Sequence, residues 1–346
     1  GAQPIEADIL QPADTLLDLY GEDIRGRAYV TWDPLRGEKM LRPDFTVPVV
    51  QMHMAHGADP ARYCYMGEVF RKQDHRGARA SEYLQVGYEV FAREAPETVE
   101  AEVFALFDDL LAPLRLRTAM GDIGLLMAAV EGLTATPRRK AALMRHIWRP
   151  RRFRALLDRY SGCTPAPAAR IKLLEKLATG TPADLMAAAG PQIGLREPWE
   201  IAERAAALLE DAAAPAIPAR EADLIEDLLR LSAPAPEALE RLMDLGVDMP
   251  AIRPAVERLA QRLEALERAG VWLSQVTFEP NHGRSLLEYY DGFVFSFHSD
   301  RPGLPPVATG GRYDALTRVL GQGREIPAVG GIIRPGVVAT VKEARA

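Results

Sequence analysis

The chain has 346 residues, of which 48% are hydrophobic and 26% are charged, and its formal net charge is −6. This length and composition can bury a substantial core and predict a globular protein with one large domain or two smaller ones. Affinity for nucleic acid comes largely from Lys and Arg, so a chain that is acidic overall has no general surplus of positive charge to offer phosphates.

Neither a membrane span nor secretion is indicated. No apolar run reaches the roughly 20 residues that cross a bilayer, and the opening GAQPIEADIL lacks the basic and then apolar order of a signal peptide. We therefore expect a cytoplasmic protein without a membrane partner. Cys64 and Cys163 lack the paired spacing of a zinc site or a disulfide framework. They predict no metal site, and we expect both to be small buried side chains.

Strand patterns occupy residues 29 to 91. The segments AYVTW, RYCYMGEVF and EYLQVGYEVF are rich in aromatic and β-branched residues. The turn-prone run KQDHRGARAS separates the last two segments, which predicts a β-hairpin with a long loop.

Residues 96 to 270 are rich in Ala, Leu, Glu and Arg, with apolar residues recurring at three and four, which predicts helices. Arginines crowd residues 138 to 154 of this block, and their spacing is typical of the solvated face of amphipathic helices. Strand patterns return from residue 271 onward. The order of strands, helices and strands predicts an α+β domain on a mostly antiparallel sheet, with the helical block as an insertion or subdomain.

Three ordered segments carry a family resemblance: LRPDFTVPV at 41 to 49, MGEVFRKQDHRGARASEYLQVGYEVF at 66 to 91, and EYYDGFVFSF with ATGGRYDAL between 288 and 316. They resemble, in turn, the acid-bearing substrate loop, class II motif 2 and the two histidine-specific motifs of the histidyl-tRNA synthetase family. GDIGLLMAAVEGL is similar to the start of the family's helical insertion. The resemblance implies a class II synthetase-like domain over residues 1 to 346, with a six-stranded antiparallel sheet flanked by helices, a helical insertion at 122 to 268 and a homodimer. Because the chain stops soon after the last strand, we expect no anticodon-binding domain.

The resemblance also implies a pocket for free histidine. Such a pocket needs a carboxylate for the ammonium group, a cation or amide dipoles for the carboxylate, and partners for both imidazole nitrogens. Gln85 and Glu89 are four apart and therefore on one side of a strand, and the resemblance implies that Glu89 and a tyrosine hydroxyl contact the imidazole. Any one such residue alone is more typical of a solvent-facing strand or a sheet edge, but the ordered set favours a histidine site. Its implied members are Asp44, Thr46, Arg71, Gln85, Glu89, Tyr289 and Tyr290.

Adenylation needs positive groups clamped on the phosphates of ATP, and here the chain departs from the family pattern. Arg71 and Arg79 match the family's motif 2 arginines. Ser285 replaces the arginine that stands in for a catalytic metal, and Gln73 replaces an acid. In motif 3, Gly336 and Val337 fall where the family has Glu and an adenine-packing Arg, and Pro335 disturbs any substitution by Arg334. The pattern predicts a protein without catalytic residues and without a cofactor.

A histidine pocket that is retained without the groups needed for adenylation implies a regulatory role. Synthetase relatives of this kind pair with a short-form ATP phosphoribosyltransferase catalytic subunit, activate it and pass on feedback by L-histidine, an allosteric coupling. The implied assembly is a homodimer within a hetero-oligomer that does not bind tRNA. Two alternatives remain open. One is a divergent or truncated histidyl-tRNA synthetase, against which the missing motif 3 arginine, Ser285, the acidic balance and the expected lack of a C-terminal domain count. The other is a synthetase-like enzyme for another amino acid or a carrier, which a retained ATP site would favour.

Overall fold

The computed structural model describes residues 1–13, 26–73, 80–191, 193–284 and 289–344. These residues form two compact units, one made of Gly1–Ala128 with Asp227–Ala346 and the other of Ala129–Glu226. The second unit lies within the stretch 122 to 268, and the boundaries of a helical insertion there remain our proposal.

Two sheets form the framework of the first unit. The strands are β1 (Gln3–Pro4), β2 (Leu10–Pro12), β3 (Val30–Asp33), β4 (Gly37–Leu41), β5 (Ala61–Phe70), β6 (Glu82–Phe91), β7 (Arg117–Asp122), β8 (Ala233–Pro234), β9 (Val276–Phe278), β10 (Phe293–His298), β11 (Ala308–Arg312) and β12 (Ala328–Ile333). The larger sheet has the order β1-β5-β6-β12-β11-β10-β7-β9-β8, and the smaller one has the order β2-β4-β3.

Six consecutive strands of the larger sheet, β5-β6-β12-β11-β10-β7, are antiparallel throughout. β1 and β9 extend this core in parallel, beside β5 and β7 respectively. The predicted β5–β6 hairpin is confirmed, with Ala61 opposite Phe91 and Phe70 opposite Glu82. The prediction of helix alone from 96 to 270 is wrong at β7, where the short segment RTAMGD supplies a buried strand too brief to interrupt the helical pattern.

The helices are α1 (Thr46–His56), α2 (Pro96–Leu111), α3 (Ile123–Gly132), α4 (Pro137–Arg145), α5 (Pro150–Tyr160), α6 (Ala168–Thr179), α7 (Pro182–Ala188), α8 (Pro198–Ala213), α9 (Ala219–Arg230), α10 (Ala235–Asp248), α11 (Arg253–Arg268), α12 (Asp314–Leu320) and α13 (Pro335–Glu343). Phe104 and Phe107, three residues apart on α2, pack against Phe295 of β10 with ring centroids 5.5 Å apart in each pair. This apolar face holds α2 on the sheet.

A buried ion network joins α2, α11 and the sheet. Arg262 of α11 donates to Glu100 of α2 at 2.5 Å and to Asp122 at 2.9 Å, and all three side chains are almost fully buried. Glu100 also accepts from Arg312, which pairs with Asp314 at 2.8 Å. Each charge in this network therefore has an opposite charge beside it, which a buried ion requires.

The second unit is helical, and most of its arginines lie at the surface as the pattern predicts. Arg139 is the correction, because it is buried at 7% exposure. Its Nε donates to Asp211 at 2.6 Å, and its other nitrogens donate to the carbonyl oxygens of Asp211 and Pro215. A buried acidic partner, which the spacing of the arginines could not show, makes this position stable inside the unit.

The expectation of buried cysteines is also wrong. Cys64 is partly exposed because it lies on the face of β5 opposite to buried Tyr63 and Tyr65, and Cys163 is exposed in the turn that follows α5. Over the described ranges, no helix is both long and apolar enough to cross a membrane.

Candidate functional site

An acidic side chain in the loop before α1 lies close to a basic side chain that directly follows β5. The Nε of Arg71 donates to the carbonyl oxygen of Pro43 at 2.7 Å, and its Nη2 lies 3.8 Å from Oδ2 of Asp44. Phe45 stacks on Tyr65 of β5 with ring centroids 4.3 Å apart, which fixes the loop against the sheet. Asp44 and Thr46, the first residue of α1, are thereby held 3% and 6% exposed.

Gln85 and Glu89 lie on the inner face of β6, as their spacing predicts, and each is 1% exposed. The Oε1 atom of Gln85 is buried and has no hydrogen-bond partner among the described residues. A buried acceptor without a donor is costly, by about 1–3 kcal/mol, and is rare in folded proteins. Gln85 therefore presents an acceptor that a bound N–H group would satisfy.

Glu89 lies deeper, below a layer of hydroxyl groups. Its Oε1 accepts from Thr46 at 3.0 Å and from the Tyr65 hydroxyl at 2.8 Å, and its Oε2 accepts from the Tyr313 hydroxyl at 2.5 Å. The sequence did not identify Tyr65 or Tyr313. Tyr313 belongs to the ATGGRYDAL segment that carried the family resemblance, whereas only the alternation of β5 hinted at an inward Tyr65.

Burial raises the pKa of Glu89 to about 7, although the three hydroxyl donors, Tyr313 foremost, act to lower it. The negative charge of Asp44 adds to the rise. Burial also raises the pKa of Tyr290, with Glu89 and Asp44 as further causes. Burial thus shields these acidic groups from solvent, and their oxygen atoms favour ligands that bring N–H donors.

A glycine allows close approach at Gly87, which is the register partner of Tyr65. A Cβ at Gly87 would lie 2.1 Å from Cζ of the Tyr65 ring. The ring can therefore cross β6 toward Glu89 only because residue 87 has no side chain.

These groups surround a cavity of about 50 Å³. Six of the seven residues predicted for the site line it, and Glu89, beneath them, does not. The lining comprises Asp44, Thr46, Arg71, Gln85, Tyr289 and Tyr290 together with Thr309, Gly331, Ile332 and Arg334. The structure thus brings residues from six separate stretches of the chain to one cavity.

Arg334 is a second cation at this cavity. Its Nη1 donates to the carbonyl oxygen of Pro306 at 2.8 Å and its Nη2 to Thr309 at 3.4 Å. Burial lowers the pKa of Arg334 to about 10, and the nearby charge of Arg71 contributes. The guanidinium group therefore lines the same cavity, immediately before Pro335 begins α13.

Gly336 and Val337 lie in the first turn of α13, so the described start of this helix carries no arginine after Arg334. Gln73 donates to the carbonyl oxygens of Arg71 and Ala80. Arg79 and Ser285, which entered the sequence interpretation, lie outside the described residues. Throughout the described ranges, no group of three or more His, Cys, Asp or Glu side chains is placed to hold a metal ion.

The six-stranded antiparallel core, the loop before α1 and the hydroxyl-lined pocket define a class II synthetase-like protein of the histidyl type. Consistent with this, a family model described as histidyl-tRNA synthetase matches residues 1–208 and 199–335. A solved structure from Bacillus halodurans, described as an ATP phosphoribosyltransferase regulatory subunit/histidyl-tRNA synthetase, has a TM-score of 0.68 at 20% identity, covering 99% of this chain and 74% of that one.

Two relatives named ATP phosphoribosyltransferase regulatory subunit are more similar in sequence. The protein from Brucella anthropi is 31% identical over 353 residues, covering 95% of this chain and 90% of the relative. The protein from Agrobacterium fabrum is 32% identical over 342 residues, covering 94% and 89%. The chain belongs to the histidyl-tRNA synthetase family, within its group of ATP phosphoribosyltransferase regulatory subunits. The fold class and the family resemblance inferred from the sequence are confirmed.

Proposed function

We propose that this chain is a non-catalytic regulatory subunit that binds L-histidine in the cavity and controls a short-form ATP phosphoribosyltransferase in histidine biosynthesis. The observation that carries the histidine site is the unsatisfied Oε1 of Gln85 beside the carboxylate of Asp44 in the same cavity. Two buried acceptors together fit an ammonium group, whose three N–H donors need oxygen partners. A biosynthetic role of this kind places the protein in the cytoplasm, in our proposal.

The cavity offers partners for both charged ends of an amino acid. Asp44 and Gln85 accept from the ammonium group, while Arg71 and Arg334 supply cations for the carboxylate. Arginine forks suit carboxylates because two parallel N–H donors match two oxygens. Each charged group of a bound amino-acid zwitterion therefore meets groups of opposite charge or polarity in the cavity.

Glu89 completes the site from below. An ionised carboxylate has about four acceptor positions, and the hydroxyls of Thr46, Tyr65 and Tyr313 occupy three of them. One position on Oε2 remains for an imidazole N–H, and the hydroxyl of Tyr290 or Tyr289 serves the other ring nitrogen. An apolar side chain of similar size would leave these groups without partners, so the site selects histidine.

The same geometry supports the absence of adenylation. Activation of an amino acid by ATP relies on positive groups held against the phosphates. Here Arg334 faces the amino-acid cavity, and the first turn of α13 carries Gly336 and Val337 instead of an arginine. We propose that the chain makes no aminoacyl-adenylate and does not act on tRNA.

The relatives' name supports the choice of partner. A sensor without catalytic groups controls a pathway only by binding an enzyme, and histidine shifts that enzyme only through different affinities for its active and inactive assemblies. We propose a homodimer of this chain within a complex that also contains the catalytic subunit. We expect a low rate of phosphoribosyl-ATP formation for the free catalytic subunit, a higher rate for the complex, and a low rate again for the complex with histidine bound.

Co-purification with a short-form catalytic subunit, followed by assays of phosphoribosyl-ATP formation with and without L-histidine, tests this proposal. We expect a stable complex, a higher rate in it, and inhibition by histidine that weakens at least about tenfold in Glu89→Gln, since a hydrogen bond to a charge contributes roughly 1.5–3 kcal/mol. Glu94→Gln is the matched control, because Glu94 is exposed. Separate migration at micromolar concentration, with an unchanged rate, would contradict the partnership.

Histidine binding and adenylation are tested on the isolated chain. Calorimetry should show binding of L-histidine that Glu89→Gln weakens and Glu94→Gln does not. Histidine-dependent exchange of pyrophosphate into ATP should be absent. Exchange at the rate of a working synthetase would overturn the non-catalytic assignment, and equal affinity in Glu89→Gln would move the histidine site elsewhere.

A further inference from the structure

A second concave site lies wholly within the helical unit Ala129–Glu226. It is a cavity of about 500 Å³ between α4, α5, α6 and α8, and its lining includes Arg138, Arg145, Arg159, Arg170, Arg204 and Asp211. None of these residues belongs to the histidine cavity. The volume lies within the range of small-molecule pockets, roughly 300–1,000 Å³.

Helical spacing places these arginines around a hollow. On α4, Arg138, Ala142 and Arg145 follow one another at intervals of four and three, so they share one face. On α8, Arg204 and Ala207 share a face in the same way. The alanines in the middle of each face leave the space that longer side chains would fill.

Asp211, one of the two acidic residues in the lining, does not neutralise the cavity. Oδ1 of Asp211 accepts from buried Arg139 at 2.6 Å, and Oδ2 accepts from Arg170. Two guanidinium groups thus share one carboxylate, which leaves a net positive charge on this trio alone.

Four further arginines at the cavity, Arg138, Arg145, Arg159 and Arg204, form no ion pair with the described residues. The buried Nε of Arg159 also has no hydrogen-bond partner there. Among the lining residues, five arginines face two carboxylates, those of Asp211 and Glu203, an excess of three positive charges in a chain whose net charge is −6. Concave surfaces of one sign concentrate counter-ions of the other.

His146, directly after α4, responds to the arginines on either side of it, of which Arg145 lines the cavity. Burial lowers the pKa of His146, and the positive charges of Arg149, Arg152 and Arg145 lower it further. The surroundings of α4 thus disfavour another cation and favour an anion.

We propose that this cavity binds a small anion that carries two or more linked phosphate groups. Guanidinium forks match phosphate oxygens two at a time, and linked phosphates place several charges within the reach of Arg138, Arg145 and Arg204 together. The buried Nε of Arg159 gains an acceptor when a phosphate oxygen enters. Each arginine added to the contact strengthens binding through the same electrostatic attraction.

The phosphate groups, and not an attached base, are what the cavity recognises. Tyr160 supplies an aromatic ring to the lining, and the guanidinium carbons of Arg139 and Arg159 each lie 5.0 Å from its centroid. These cation–π contacts use the ring surface on which a base would stack. Inorganic tripolyphosphate should therefore bind as tightly as adenosine triphosphate.

Calorimetric titration of the full chain with sodium tripolyphosphate, at low and at 0.3 M salt, tests the site. We expect saturable binding that weakens with salt, and at least about tenfold weaker binding in Arg145→Gln and in Arg204→Gln. Arg151→Gln is the matched control, because Arg151 is exposed on α5 and does not line the cavity. Ala142→Leu, which fills the cavity without changing its charge, should also weaken binding, and thermal unfolding of each variant checks the fold.

Three outcomes would overturn the proposal. One is no binding of tripolyphosphate at millimolar concentration. Another is an equal loss in Arg151→Gln, which would indicate general attraction to the basic surface. The third is binding of an RNA hairpin that outcompetes tripolyphosphate and depends on Arg151 as much as on Arg204, which would identify a nucleic-acid surface. Adenosine triphosphate binding more than tenfold tighter than tripolyphosphate would overturn recognition by phosphate alone.

Discussion

Glu89 on β6 and Gly330 on β12 are register partners, and the carboxylate of one rests against the backbone of the other. A Cβ at residue 330 would lie 1.5 Å from Oε2 of Glu89. The Glu89 carboxylate can lie across β12 at this point only because residue 330 has no side chain, and this position places Oε2 beneath the cavity.

Gly330→Ala should therefore displace Glu89. We expect at least about tenfold weaker histidine binding, measured by calorimetry, and a loss of about 1–3 kcal/mol in the free energy of unfolding, as for other overpacked interiors. Gly336→Ala is the control, since a Cβ there meets nothing within 4 Å and alanine favours a helix. Unchanged histidine affinity in Gly330→Ala would separate Glu89 from the site.

The raised pKa of Glu89 predicts a pH-dependent stability. The ordinary pKa of a glutamate is 4.5 and the folded state raises it to about 7. Between these two pH values, the folded state therefore holds a proton that the unfolded state has lost. The stabilisation is therefore complete below pH 4.5 and is lost as pH rises through 7, by about 3 kcal/mol. Denaturant unfolding of Glu89→Gln at pH 5 and pH 8 should show a smaller decline than the unchanged chain, with Glu94→Gln as the control. Equal declines would show that Glu89 keeps an ordinary pKa.

Tyr313 should set the pH range of histidine binding through Glu89. The Tyr313 hydroxyl lowers the pKa of Glu89, so Tyr313→Phe raises that pKa and makes Glu89 neutral at a higher pH. In a plot of histidine affinity against pH, the acid limb is the range in which affinity falls as Glu89 becomes protonated. This limb should shift to higher pH by about 1 to 2 units, since a hydrogen bond to a charge contributes about 1.5–3 kcal/mol. Tyr63→Phe is the matched control, because the Tyr63 hydroxyl faces His53 instead. A uniformly weaker affinity with an unshifted limb would indicate a purely structural role.

Arg262→Met should destabilise the first unit strongly. Arg262 contacts Glu100 and Asp122 and lies over the Phe293 ring, 4.5 Å from its centroid. Removing the cation leaves two buried carboxylates with less compensation, at a cost of about 3–5 kcal/mol in the free energy of unfolding. Arg268→Met on the exposed end of α11 should change it by less than about 0.5 kcal/mol. A loss below about 1 kcal/mol for Arg262→Met would show that Glu100 and Asp122 do not depend on Arg262 for compensation.

The sequence predicted the β5–β6 hairpin and the gathering of the site residues because local alternation and ordered motifs carry that information. It could not predict which site residue touches the cavity. Gln85 and Glu89 share a face, yet only Gln85 lines the cavity, because Glu89 is covered by Tyr65 and Tyr313. Those contacts depend on strand register, which a single sequence does not reveal.

The sequence could not predict the long-range charge pairs, for a related reason. Arg139 and Arg262 each sit in a helix whose other arginines are exposed, and nothing in their spacing distinguishes them. Their burial is determined by Asp211 and Glu100, which lie far away along the chain. The cavity of arginines likewise depends on four helices meeting.

The three hydroxyls on Glu89 come from α1, from β5 and from the segment after β11. One carboxylate therefore fastens three parts of the chain that folding must bring together from a distance. A variant that lost it would leave three buried hydroxyls short of an acceptor, so discarding histidine recognition would also loosen the scaffold. This carboxylate is therefore a structural residue of the scaffold as well as a member of the proposed histidine site.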